Sequence, residues 1–559
     1  MFALSFDRGA HRLLDNKKPL KKITMDIIKS SLDAQTPGYH SNREASLERI
    51  AELHRLRTKA RNGGSEKAVK LHKERGQMMV RERIHALLDP GSPFFEISEL
   101  AGLNMYEGVP PGGSMVTGVG RINNRNCMII ANDPTVKGGT LFGITCKKHV
   151  RAQTIARRYR LPCITMVQSG GAFLPDVANI FPDIGHGGTI MRNQVLMSSE
   201  GTAQIAIVHG PSTAGGAYIP ALCDEAVIIR EQGAMFLGSP ELVFAATGEV
   251  VGQEELGGAN MHCSVSGVAD HIAENDAHAL SITRNIVENL GSLPKMRWDV
   301  AQPVEPAYPM EEIYGIISRD PKIPTDNREI LARLLDGSEF HEFKALFGDT
   351  LICGFGRIKG FNVGVLMNDG VLFSESASKA AHFIDLCCKR DIPLLFAADI
   401  NGFMVGKEAE ESGIAKHGAK MITAMASAKV PRISLITGGS YGAGYLAMCG
   451  RPFEPDFMFM WPNAKAAIMG PEQAATTLSL VQEKIHRREG TSWSDDEQEN
   501  FKGGIRKIYE DFSNAYNFAS HIWCDNVIDP LETRDVIGYA LDMAGRVPEE
   551  STTFGVFRQ

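Results

Sequence analysis

Two short turns are the part of this sequence best suited to chemistry: STAGGAY at 212–218 and SYGAGY at 440–445. Each follows a β-rich run and opens a helical stretch. Glycine and alanine leave the backbone uncovered there, so N–H groups at the helix start can converge on an anion with help from the helix dipole. Such a turn would make an oxyanion hole. It suits a thioester that passes through an enolate, where one lost donor typically costs about 100- to 1000-fold in rate. A single Gly-Gly turn is more often a packing device between strand and helix. A matched pair carries more weight, because two holes suit two partner molecules that each develop an oxygen anion. No Ser-His-Asp set, metal cluster or phosphate-loop signature adds weight, so the pattern alone leaves packing and chemistry both open.

The turns sit in a repeated frame. RLPCITMVQSGGAFLP (160–175) has a counterpart in DIPLLFAADINGFMVG (391–406), and QIAIVHGPSTAGGAYIPALCDEAVI (204–228) in RISLITGGSYGAGYLAMCGRPFEPDFM (432–458). GSPE (238–241) is echoed by MGPE (469–472). The offset of about 230 residues is far beyond solenoid periods of roughly 20 to 50, so it marks a duplicated domain. Strand, Gly-rich turn and helix recur as in layered α/β folds. Residues 42–90 read as amphipathic helices that end at the DPGSP turn, and the join between copies falls in the Pro-rich stretch 293–313. The expected organisation is an extension over 1–41, a first domain over 42–300 and a second over 301–559.

Composition narrows the function further. The 559 residues are 43% hydrophobic and 22% charged, with no run near the roughly 20 apolar residues that span a bilayer. A net charge of −7 argues against a general nucleic-acid binder. Ten scattered cysteines without CxxC pairs suggest reduced thiols and no structural zinc. The expected compartment is the cytoplasm of a bacterium or the mitochondrial matrix of a eukaryote. Asp7 and Asp15 are unusual for a mitochondrial presequence, which leaves a targeting segment within the first 41 residues open.

From about residue 42 to the end, the chain resembles the carboxyltransferase subunits of biotin-dependent acyl-CoA carboxylases, which are built from two tandem crotonase-like domains. The blocks NDPTVKGGT, RLPCITMVQSGGAFLP, STAGGAYIPA, ELGGANMHCSVSGVADH, GVLFSESASKAAHF, NGFMVG, GIAKHGAKM, GGSYGAGY, WPNAK and TTFGVFRQ look like those of the methylcrotonyl-CoA and geranyl-CoA branch, in the family order. The resemblance implies that backbone N–H groups of Gly215 and Gly216 hold the enolate of the acyl-CoA. Those of Ala443 and Gly444 hold the ureido oxygen of biotin. Carboxyl transfer then reaches the γ carbon of a β-methyl-enoyl-CoA.

The resemblance places Ser169, Gly170, Gly171 and Ala172 on the acyl-CoA side of the site, with Leu446 beside the second hole. Lys147, Lys148 and Arg151 are candidates for CoA phosphates. His149, His186 and His262 are expected to be structural or surface residues. The implied cofactor is biotin carried by a separate biotin carboxylase/biotin carrier subunit, which also uses ATP and bicarbonate; coenzyme A belongs to the substrate. The implied assembly is a homo-oligomer, a hexamer in which the site joins the first domain of one subunit to the second of another. Where methylcrotonyl subunits resemble HFGRIFFNQ this chain has HGGTIMRNQ (186–194), so Gly187 replaces a Phe, as in geranyl-CoA carboxylases, and Thr189 and Arg192 also differ. Rival readings are another acyl-CoA carboxylase, a biotin-dependent decarboxylase subunit, or an inactive assembly homologue.

Overall fold

The computed structural model describes residues 26–320 and 323–557. The first 25 residues, with the question of a targeting segment, lie outside the described residues.

Among the described residues, seventeen strands form two sheets of the same design. The first contains β2 (Phe95–Ile97), β3 (Met115–Ile122), β4 (Arg125–Asn132), β5 (Cys163–Ser169), β6 (Gln204–Thr213), β7 (Glu225–Ile229), β8 (Ala234–Phe236) and β9 (His271–Ala273). The second contains β1 (Asp26–Ile27), β10 (Glu339–Glu342), β11 (Leu351–Ile358), β12 (Phe361–Asn368), β13 (Leu394–Ile400), β14 (Arg432–Tyr441), β15 (Phe457–Met460), β16 (Lys465–Ala467) and β17 (Asn526–Val527). Their orders correspond: β2-β3-β4-β5-β6-β7-β9 with β8 on β6, and β10-β11-β12-β13-β14-β15-β17 with β16 on β14. Both sheets begin antiparallel and turn parallel at the third strand of this series. The parallel strands are continuous apolar runs because helices and neighbouring layers bury both faces.

The duplication extends to an irregularity. The β5–β6 register breaks between Val167 and Ser169, and the β13–β14 register between Ala398 and Ile400. Such a bulge bends the strand and re-aims the residues that follow. These are the segments that lead into SGGA and its counterpart.

The halves are not separate bodies. One core joins Phe95, Met115 and Tyr159 of the first half to Phe457, Phe459 and Leu541 of the second. The Tyr159 and Phe457 rings stack at 5.9 Å. Between them, residues 289–309 have no helix or strand, and the end of the Pro-rich stretch, from Met310 on, is helical.

The preamble forms helices α1 (Pro37–Arg61), α2 (Glu66–Glu74) and α3 (Val80–Leu87). Val80, Ile84 and Leu87 pack into the first half. Residues 26–61 behave differently from the expected division at residue 42. β1 pairs antiparallel with β10 of the second sheet, Ser46 Oγ donates to Tyr314 O (2.8 Å), and Arg57 pairs with Glu532 (2.7 Å). The reason is physical: without β1, β10 would be an exposed sheet edge, and β1 satisfies its backbone groups.

Candidate functional site

The two turns expected to be holes lie at equivalent points of the two sheets. β6 ends at Thr213, Ala214 turns left-handed (φ 54), and a tight turn spans Ala214–Ala217. β14 ends at Tyr441, Gly442 turns left-handed (φ 57), and a helix spans Gly442–Ala447. A left-handed residue is uncommon outside glycine, so Ala214 is a strained position held by its surroundings. The reversal puts the next N–H groups at a helix start, where no intrahelical acceptor exists. Gly215 and Ala443 are exposed, Gly216 is half-buried and Gly444 is buried. A Cβ on Gly216 would lie 3.1 Å from Ser212 Oγ, and one on Gly444 would lie 3.0 Å from both Gly402 Cα and Ile400 Cδ1. A side chain at the second position of each turn would therefore be tight against its neighbours.

The SGGA segment lies against the first hole. Ser169 pairs with Ser212 across β5 and β6, and Thr213 Oγ1 donates to Ser169 O (3.4 Å). Backbone bonds clamp the segment from the opposite side: Gly170 N to Gly138 O (3.0 Å), Leu141 N to Gly171 O (2.8 Å) and Phe173 N to Leu141 O (2.9 Å). Gly171 is left-handed (φ 92), which this tight path demands. Beyond it, residues that the sequence did not single out fix the loop. Asp176 accepts hydrogen bonds from Tyr106 Oη (2.7 Å) and from Gly143 N (2.8 Å), at the start of α4 (Gly143–Tyr159). Burial opposes charge on this carboxyl, but the bonds from Asn179, Tyr106 and Gly143 outweigh it and hold the group below its ordinary value. Phe142 packs between Tyr106 (4.7 Å) and Phe173 (4.9 Å).

Comparison with known proteins decides what this pair of turns belongs to. The model of the carboxyl transferase domain matches residues 71–555. The chain belongs to the carboxyltransferase family. It is 52% identical over 509 residues to the biotin-dependent 3-methylcrotonyl-coenzyme A carboxylase beta1 subunit of Mycobacterium tuberculosis, covering 91% of this chain and 96% of that one. It is 49% identical over 544 residues to the mitochondrial methylcrotonoyl-CoA carboxylase beta chain of Arabidopsis thaliana, covering 96% and 93%. The crystal structure of the P. aeruginosa geranyl-CoA carboxylase beta subunit superposes with a TM-score of 0.85 at 40% identity, over 95% of this chain and 99% of that one. The duplicated sheets are thus the crotonase-like halves of a biotin-dependent carboxylase subunit, with a helical N-terminal region.

In this carboxyltransferase Gly187 opens α5 (Gly187–Ser199), its N–H donating to Ile180 O (2.7 Å). A Cβ there would lie 3.2 Å from Ile180 O. One turn further, Met191 Cε lies 3.7 Å from the Cβ position of Gly215, which places the start of α5 beside the first hole. The preceding loop exposes Phe181 (79%) and Ile184 (90%). Thr189 accounts for its own presence: its Oγ1 accepts from Gly185 N (2.9 Å) and closes the turn into α5. Arg192 is exposed, and no contact in the structure explains it.

The expected phosphate contacts need correction. Lys148 is buried, donates to Met115 O (2.7 Å) and Gly112 O (3.2 Å), and burial pushes its ammonium down to about 8. Arg151 forks onto the fully buried Asp525 (2.7 and 2.8 Å), joining α4 to the second half. Burial works against the Asp525 charge, and the guanidiniums of Arg151 and Arg451 outweigh it. Lys147 is exposed, but its ammonium donates to His521 O (2.7 Å). These three cations all lie within α4, and their types gave no sign of the inward partners, which are 33 and 36 residues away for Lys148 and 374 for Lys147 and Arg151. Among the histidines, burial pushes His149 down to about 3, His186 Nδ1 accepts from Asp183 N (3.1 Å), and His262 joins Met235 O to Ser266.

The second hole repeats the clamp with different chemistry. Leu372 N donates to Gly402 O (3.1 Å) and Met404 N to Leu372 O (2.8 Å). Asp399, unmarked in the sequence reading, accepts from Gly439 N (2.9 Å), and a Cβ on Gly438 would meet its carboxyl. No cation forms an ion pair with it among the described residues, and burial raises its pKa. Leu446 is half-buried within the Gly442–Ala447 helix.

Proposed function

We propose that this carboxyltransferase moves a carboxyl group to the γ carbon of a β-methyl-enoyl-CoA, either 3-methylcrotonyl-CoA or its longer isoprenoid analogue geranyl-CoA. The observation that carries the reading is the pair of left-handed turns at Ala214 and Gly442, each presenting helix-start N–H groups without intrahelical partners. Carboxybiotin reaches the site as a substrate on a biotin carrier subunit, which charges it with ATP and bicarbonate; it supplies CO2, and its ureido anion accepts the γ proton.

Gly215 and Gly216 bind the thioester oxygen as negative charge moves onto it, which makes the γ proton acidic through the conjugated alkene. Ala443 and Gly444 bind the ureido oxygen as the N–CO2 bond breaks. Both charges develop on oxygens served by backbone donors, so no side-chain nucleophile is required. Apolar side chains exposed on both halves, among them Leu237, Leu242, Val405 and Ile468, fit coverage by a second copy in a hexameric core.

The acyl group is argued from Gly187 beside Met191 and the first hole. Each buried methylene stabilises by about 0.8 kcal/mol, so losing a phenyl ring there favours a longer chain. The test is steady-state kinetics of the complex assembled with its biotin carrier subunit on methylcrotonyl-, geranyl-, propionyl- and acetyl-CoA. The two β-methyl-enoyl thioesters should be turned over, the saturated ones poorly, and Gly187→Phe should depress geranyl-CoA selectively. A preference for propionyl- or acetyl-CoA would reject the substrate class. ATP- and bicarbonate-dependent carboxylation by the isolated chain would reject the subunit role.

A further inference from the structure

The duplication makes it possible to see what one half has and the other lacks. In the second half Leu372, which bridges to Phe403, comes four residues after Asn368, the last residue of β12. In the first half Leu141, which bridges to Ala172, comes nine residues after Asn132, the last residue of β4. The first half therefore inserts five residues at this point, within NDPTVKGGT.

The inserted loop is pinned from three directions. Gly64 N donates to Thr135 Oγ1 (2.9 Å), Asp133 accepts from Thr135 N (2.9 Å), and Gly138 O takes the Gly170 N–H of the SGGA segment. A side chain on Gly139 would run into Gln168 O, so that glycine is tied to the end of β5. Between buried Val136 and buried Gly139 stands Lys137, exposed and left-handed (φ 48). That conformation is uncommon outside glycine and turns this side chain outward. Its ammonium lies 3.9 Å from the Cβ position of Gly108 and forms no hydrogen bond or ion pair among the described residues. This is a cation without a structural task, held in a fixed loop that touches the acyl-CoA segment. The three cations of the α4 region, by contrast, are committed to carbonyls or to Asp525.

We propose that Lys137 is a binding residue for a phosphate group of the acyl-CoA, which enters the first half across the inserted loop. The proposal rests on the acyl-CoA reading of the first hole. A lysine suits this task because a phosphate can be met by a point charge without forked geometry. The second half, which takes a substrate without phosphates, has no such insertion.

The test compares two thioesters in the assembled complex: the acyl-CoA, and the same acyl group on pantetheine, which lacks the phosphates and the nucleotide. For Lys137→Ala, KM for the acyl-CoA should rise about 10-fold with kcat within about 2-fold, as expected for loss of one charge-assisted contact. KM for the acyl-pantetheine should stay unchanged, and Lys137→Arg should recover most of the affinity for the acyl-CoA. Equal losses on both thioesters would mean that the loop had been damaged, and the proposal would fall. It would also fall if KM for the acyl-CoA did not move. Failure of the wild-type complex to turn over either thioester would instead reject the functional reading on which the proposal rests.

Discussion

At the scale of single residues, the sequence was most informative where backbone chemistry shows through residue type. Small residues at Gly215, Gly216, Ala443 and Gly444 are visible in the sequence, and at Gly216 and Gly444 the fold gives a reason, since a Cβ there would lie tight against Ser212 or against Gly402 and Ile400. The left-handed Ala214 was not legible, since nothing in its type announces a positive φ. Asp399 was hidden too, because burial beside a glycine strand is a property of the fold. Its raised pKa has a definite sign. A carboxyl whose folded pKa exceeds its unfolded value opposes folding at pH above that folded value, and the penalty disappears as pH falls below the unfolded pKa near 3.9. Asp399→Asn should therefore raise the melting temperature at pH 8 and give no gain below about pH 4. A gain that is equal at both pH values would show that the carboxylate charge is not the cause.

At the scale of elements, the strand–turn–helix repeats and the helical preamble were readable because apolar periodicity and Gly/Pro punctuation are local signals. The arms that hold the loops were not, because their partners are distant in sequence. Asp176 shows this: an Asp one residue after a Pro reads as a turn, yet it caps α4 and fixes SGGA against the first hole. Asp176→Ala should leave folding intact, at a cost of about 1 kcal/mol typical of a lost cap. It should raise KM for the acyl-CoA several-fold, while cleavage of carboxybiotin in the absence of acyl-CoA stays within about 2-fold. An unchanged KM, or equal damage to both steps, would remove the loop from the account of substrate binding.

At the scale of the whole molecule, the offset of about 230 residues disclosed the duplication, and the two sheets repeat it down to the register break. The sequence did not disclose how firmly the halves are joined. Residues 26–61 run across the second half, and Arg151 pairs with Asp525 between halves. Such long-range pairings leave no periodic trace. The central proposal is a division of labour in which the two turns serve different substrates. It is tested most directly by following a labelled carboxyl from carboxybiotin to the acyl-CoA in assembled, folded Ala443→Pro and Gly216→Pro variants, since proline removes one N–H from each hole in turn. Ala443→Pro should slow label release at least about 100-fold with acyl-CoA affinity unchanged, whereas Gly216→Pro should block label arrival on the acyl group while slow release from carboxybiotin persists. Near-normal transfer by either variant would contradict the assignment.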